Sequence, residues 1–135
     1  MKKLILVFIV CSSAATAHGQ NMASTNLKWE ADQTTDMQAN VAKPYVGYFK
    51  TLSNQSVEWV QKAGQIMATY TVVSMEGTWA DINNIGSVVY VLTRNGKTVH
   101  MKFEKTAAGR FVTMIFPTNG NTEIKFRISS VTILP

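Results

Sequence analysis

The chain has one cysteine, Cys11, and two histidines, His18 and His100. Cys11 lies in the first seventeen residues, so no disulfide is available downstream and the fold must be held by packing alone. A structural zinc site wants three or four nitrogen or sulfur ligands, and two isolated histidines do not supply them. The same shortage argues against a nucleophilic triad. His100 is the one imidazole well inside the chain, and no Gly-x-Ser-x-Gly elbow occurs. Charge is also sparse, at 16% of residues. Without Lys2 and Lys3 the thirteen basic residues become eleven against eight acids, a net of +3, and they are scattered. Phosphate backbones and anionic membranes call for denser clusters, which excludes nucleic acid as the expected partner. No apolar run approaches the roughly 20 residues that span a bilayer as a helix, so stable membrane insertion is not expected. The expectation is a protein without cofactor, metal or catalytic set.

What is present begins with an address. Lys2 and Lys3 precede the apolar run Leu4–Val10, and small residues follow up to Ala15-Thr16-Ala17. Charged, then apolar, then small is the order of a secretory signal peptide with an A-x-A cleavage site. The reading is a leader over residues 1–17, of bacterial type, with export to the periplasm or outside the cell. The exported chain then starts near His18 or Gln20. Lipid attachment at Cys11 is the alternative, but the residue before a lipidated cysteine must be small and here it is Val10. The remaining 118 residues make one domain and not two. Residues 18–25 are small and polar and read as a flexible arm, leaving 26–135 as the folded unit.

That unit reads as all-β. Leu27, Trp29 and Ala31 alternate with Lys28, Glu30 and Asp32, the period of a half-buried strand. Residues 33–42 fit either a helical turn capped by Thr35 or a loop, closed by Pro44, with a short strand over Tyr45–Lys50. Val57–Val60 and the β-branched stretch Ile66–Met75 follow. The last fifty residues predict a four-stranded meander: Ser87–Arg94, Thr98–Lys105, Arg110–Phe116 and Glu123–Ile128.

Asn95-Gly96 is a strong hairpin signal, because a type I′ turn needs positive φ at both central positions. It pairs Leu92 with Val99, Tyr90 with Met101 and Val88 with Phe103, all apolar and hence core-facing. A loop at Thr106–Gly109 then sets Phe103 against Val112, Met101 against Met114 and Val99 against Phe116. For the last hairpin, a three-residue Asn119-Gly120-Asn121 loop with a bulge pairs Phe116 with Ile124, Met114 with Phe126 and Val112 with Ile128. A one-residue slip would bring Lys125 and Arg127 into the core. Ser129–Leu134 either continues the last strand or bends to a second sheet. Seven or eight strands with no firm helix predict a small antiparallel β-barrel or β-sandwich.

Candidate chemistry is thin. Asp81-Ile82-Asn83-Asn84-Ile85-Gly86 has a calcium-loop start, but Leu92 stands where a bidentate glutamate belongs, so Asx turns explain it better. Glu58, Glu76, Asp81 and Glu104 would serve a carboxylate-based hydrolase only if two of them converged on a cleft. Gly77-Thr78-Trp79 resembles the Gly-x-Trp element that opens lipocalin-type and avidin-type barrels, whose tryptophan closes one barrel end. There the motif begins the first of eight strands, whereas here about 55 residues follow it, room for four or five. No ligand residue is carried over from those families.

Seven aromatic residues lie between positions 29 and 79, including all three tryptophans. Trp29, Tyr48, Trp59, Tyr70 and Trp79 are the candidate ligand-binding set, for a small apolar molecule or a glycan; the rival role for them is core filling. The bulky core face of the meander argues for a filled interior over a large cavity. On its opposite face Val89, Val91, Phe111 and Ile115 sit among His100, Lys102, Lys125 and Arg127. This is a candidate interaction strip (Val89, Val91, His100, Phe111, Ile115) for a second copy or an envelope protein, unless segment 33–50 folds over it. The leading expectation is an exported, non-enzymatic binding module. The alternative is a structural or interaction protein acting through the strip or a sheet edge, and the lesser one a carboxylate-based hydrolase.

Overall fold

The computed structural model describes residues 22–61 and 64–135. The predicted leader, Cys11 and His18 lie outside the described residues.

Eight antiparallel strands follow one another around a closed barrel: β1 (Asn26–Asp36), β2 (Val41–Leu52), β3 (Ser56–Gln61), β4 (Ile66–Glu76), β5 (Gly86–Arg94), β6 (Lys97–Thr106), β7 (Gly109–Phe116) and β8 (Thr122–Ile133). Each strand pairs with the next in sequence, and β8 pairs with β1 to close the wall. Closure settles the choice between barrel and sandwich, and it leaves no strand without two neighbours. The alternation in sequence is what permits it. Trp29, Phe49, Val57, Tyr70, Tyr90, Met101, Met114 and Phe126, one from each strand, all turn inward and are buried. Side chains of this bulk fill an eight-stranded barrel, as the meander's core face predicts.

The β5–β6 hairpin follows the predicted register, with Leu92↔Val99, Tyr90↔Met101 and Val88↔Phe103. Asn95 and Gly96 take φ of 53° and 77°, the positive values a type I′ turn requires. Between β6 and β7, Phe103↔Val112 and Met101↔Met114 also hold. Thr106 pairs with Gly109, so the turn itself is Ala107-Ala108, and the ladder stops at His100↔Ile115, short of the expected Val99–Phe116 pair.

Four expectations change. The β7–β8 register is Phe116↔Thr122, Met114↔Ile124 and Val112↔Phe126, two residues from the predicted one. Pro117–Asn119 forms a 3-10 turn, which lengthens the loop, and the Asn121 N–H donates to the Phe116 carbonyl at 3.1 Å. A shift of two preserves which face each side chain takes, so facing alone did not distinguish the two registers. Residues 33–42 form a β1–β2 hairpin, with 33–36 and 41–42 in its arms and only 37–40 in a turn. Asp36, not Thr35, organises its turn by accepting from the Gln38 and Ala39 N–H groups. Pro44 lies inside β2, where only β1 pairs alongside, so its missing N–H is tolerated. Finally, the expected arm is ordered from Met22, which is buried in a 3-10 turn (Met22–Ser24) against one end of the barrel.

Ser129–Ile133 continues β8, but through an irregularity. The β1–β8 register shifts on both sides of Ala31, leaving Asp32 and Ser129 out of the pairing. The Asp32 carboxylate accepts from Arg127 Nε at 2.8 Å across this kink. Segment 33–50 is therefore barrel wall between β8 and β3, and it does not cover the outer face of β5–β7.

Candidate functional site

The five candidate ligand residues do not line one cleft. Trp29 is fully buried at the centre; its indole Nε1–H donates to Thr51 Oγ1 at 3.0 Å, and its ring lies 5.1 Å from Phe103 and 6.1 Å from Trp79. Tyr70 is buried on the inner face of β4. Tyr48 faces outward, with Lys28 Nζ 4.4 Å from its ring centre. Trp59 is half-buried and inward, and Trp79 closes one end.

That end is sealed by the loop between β4 and β5. Trp79 and Ile82 are buried, and the Trp79 Nε1–H donates to the Asn84 carbonyl at 2.9 Å. Asp81 Oδ1 accepts from the Asn83 N–H at 2.9 Å, as in an Asx turn. Lys105 Nζ donates to the Asn83 carbonyl at 2.7 Å, and Arg110 Nη2 to Asn83 Oδ1 at 3.3 Å. Gly86 makes room for the indole: a Cβ there would stand 2.7 Å from Trp79 Nε1.

The other end is lower on one side. β3 has only six residues, and its ladder with β2 stops at Gly47↔Gln61. Residues 41–44 therefore run on beside β1 alone, Tyr45 and Val46 fall where the β1–β2 register shifts and are paired in neither ladder, and among the described residues no strand pairs with the other edge of 41–46. Tyr45 sits in this notch. Its ring folds back over Gly47, where a Cβ would lie 2.7 Å from Tyr45 Cε2 and 2.8 Å from its hydroxyl. The ring meets Phe126 edge-on at 5.1 Å, and its hydroxyl oxygen accepts from Trp59 Nε1–H at 2.8 Å. Trp59 in turn stacks on Phe49 at 6.1 Å and meets Phe126 at 6.0 Å. On its other side Tyr45 faces solvent, lining an outer cleft of about 390 Å³ with Tyr48, Glu30 and Gln61, and a second of about 320 Å³ with Pro44 and Val46. One side chain thus touches both the barrel's aromatic core and its outside surface.

Tyr45 was legible as one of the aromatics between positions 29 and 79, but not as a site residue. The available clue was Gly47, two positions on and therefore on the same strand face, where an inward glycine leaves volume for a neighbouring ring.

The interaction strip lies where the register places it. Val91, His100 and Ile115 form one cross-strand row on the outer face, all half-buried, with Val89 beside Lys102 and Phe111 beside Glu104. Lys125 Nζ stands 4.3 Å from the Phe111 ring centre. The carboxylates are dispersed: Glu58 is 4.0 Å from Lys50 on the β2–β3 wall, and Glu104 is 3.5 Å from Lys102 on β6. Among the described residues no three His, Cys, Asp or Glu side chains group as metal ligands, and no helix is long and apolar enough to cross a membrane.

Two tyrosines have raised pKa values. Burial pushes the Tyr90 hydroxyl well above its ordinary value of 10, and that hydroxyl donates to the Ser53 carbonyl at 3.2 Å. Burial also raises Tyr70, partly offset by the Arg94 charge. Both stay neutral at physiological pH and act as structural donors or packing groups. No known family model and no curated protein sequence matches this chain.

Proposed function

We propose that the protein is an exported, non-enzymatic binding module that takes a small ligand at the notch between β2 and β3. The observation that carries this reading is Tyr45, which packs on Phe126 and Trp59 yet lines two outer clefts. A binding site needs apolar surface, a few fixed polar groups and access from solvent. The notch has all three: Phe49 and Phe126 as apolar floor, the Trp59 N–H as a directed donor, and the unpaired edge of residues 41–46 as the entrance. The barrel centre is packed with Trp29, Phe49, Tyr90 and Phe103, which favours a site at the rim over a deep chamber. Met22 joins at the sealed end, and the notch lies at the opposite pole. Native mass spectrometry of the protein purified gently from its envelope fraction tests this. Extra dissociable mass, lost in Trp59→Ala, supports the reading; a bare monomer that no apolar or glycan ligand perturbs sinks it.

A second reading rests on the row Val91–His100–Ile115, which remains partly exposed on the outer wall. An apolar row flanked by charge suits a second copy or an envelope protein. Concentration-dependent oligomers that disappear in Phe111→Asp or Ile115→Lys support it, and a monomer at every concentration removes its self-association form.

A further inference from the structure

We infer that the Tyr45 side chain is a displaceable plug, and that its seat binds a flat aromatic ring carrying a hydrogen-bond-accepting oxygen, a phenol in the simplest case. The inference rests on the binding reading above and names its ligand class. The seat and the plug are held very differently. Phe49, Trp59 and Phe126 come from β2, β3 and β8, and each lies at a position paired with both neighbouring strands. Tyr45 lies at the irregularity of β2 that is paired with neither β1 nor β3, between Pro44, which only β1 supports, and an exposed Val46. Turning it outward requires movement of one ring on a one-sided strand; turning out any floor residue would break the wall. Local opening is drawn from such weakly supported segments.

What the ring leaves behind has a defined chemistry. Gly47 adds no side chain, so the vacated volume is the shape of the ring itself. Phe126 presents its ring in a tilted, edge-on geometry, which suits another aromatic ring. At the far end the Trp59 Nε1–H loses its acceptor when the Tyr45 hydroxyl departs. A donor left unpaired in an apolar site is costly, so a ligand that brings an oxygen to that point is favoured over one that does not. In its seat the Tyr45 ring meets Phe126, the Trp59 N–H and Gly47, an uncharged set that favours neutral over ionised ligands.

The test uses the full folded protein with p-cresol, which is the tyrosine side chain as a free molecule, and toluene, which lacks the oxygen. The protein carries 3-fluorotyrosine, with Tyr45→Phe identifying the Tyr45 fluorine signal. p-Cresol should shift that signal toward the solvent-exposed position in a saturable way, with toluene at least about tenfold weaker, the worth of one hydrogen bond. Tyr45→Ala should bind p-cresol more tightly than the parent because the plug no longer competes. Trp59→Phe should bind p-cresol and toluene alike. If Tyr45→Ala binds p-cresol and the parent never does, Tyr45 is a fixed plug and the inference is overturned. A Tyr45 signal unmoved at saturating p-cresol overturns it equally, even if Tyr45→Ala fails to fold. A co-purified ligand that is kept in Tyr45→Ala and does not move the Tyr45 signal leaves the binding reading standing and removes this one.

Discussion

Trp79 lies against Gly86 so closely that a Cβ at position 86 would stand 2.7 Å from its indole nitrogen. The two residues flank the loop that seals one barrel end, and the indole also holds that loop through its bond to the Asn84 carbonyl. Tyr45 over Gly47 repeats the device at the other end. In each case a wall glycine leaves room for an aromatic ring close against the backbone.

Gly86→Ala should therefore lift Trp79 from its seat. Overpacking of this kind costs about 1–3 kcal/mol. Chemical denaturation should show the loss, and the Trp79 fluorescence should move toward that of a solvated indole. An unchanged midpoint would mean that the loop shifts freely and seals nothing.

Trp59 and Trp79 should respond differently to truncation. Trp79 is buried between the loop and Trp29, so Trp79→Ala should cost about 3–5 kcal/mol and unfold much of the population. Trp59 is half-buried at the notch, so Trp59→Ala should leave a folded barrel that no longer binds. Circular dichroism melts of the two variants, side by side, separate core from site; equal losses would place Trp59 in the core.

Thr51→Val tests the one buried hydroxyl bonded to Trp29. The swap keeps shape but leaves the Trp29 N–H at the barrel centre without its acceptor. The expected destabilisation is about 1–3 kcal/mol, read by urea unfolding. A neutral result would show that the indole finds another partner.

Alkaline pH should unfold the protein through Tyr90. Its folded pKa is raised above the unfolded value near 10. The neutral hydroxyl is therefore favoured by folding, and this contribution is complete below pH 10. It falls as pH rises past 10, by at most about 1.4 kcal/mol per pH unit for one proton. Tyr70, raised in the same direction, adds to the slope. Stability measured from pH 8 upward should be flat and then decline, and Tyr90→Phe should be less stable at pH 8 yet decline less steeply. An identical slope in Tyr90→Phe would remove Tyr90 as the cause.

Much of this architecture can be read along the chain because it is local. The apolar alternation at Leu27, Trp29 and Ala31 fixes which face of β1 is inside, and Asn95-Gly96 fixes the β5–β6 register through the φ values its turn demands. The inward set of the meander follows from the same period of two. The sequence alone thus determined strands, their faces, the all-β class and the bulk that fills the interior. Tertiary structure decided what depends on partners distant in sequence. Closure needs β8 to find β1, and a pairing across some hundred residues leaves no local mark. The β7–β8 register differed by two because both alternatives bury the same faces, and the Pro117 turn made the choice. The candidate site was hidden for the same reason. Tyr45 matters only because β3 stops at Gln61 and leaves an edge bare, so that Phe126, Trp59 and Gly47 meet one ring at a gap in the wall.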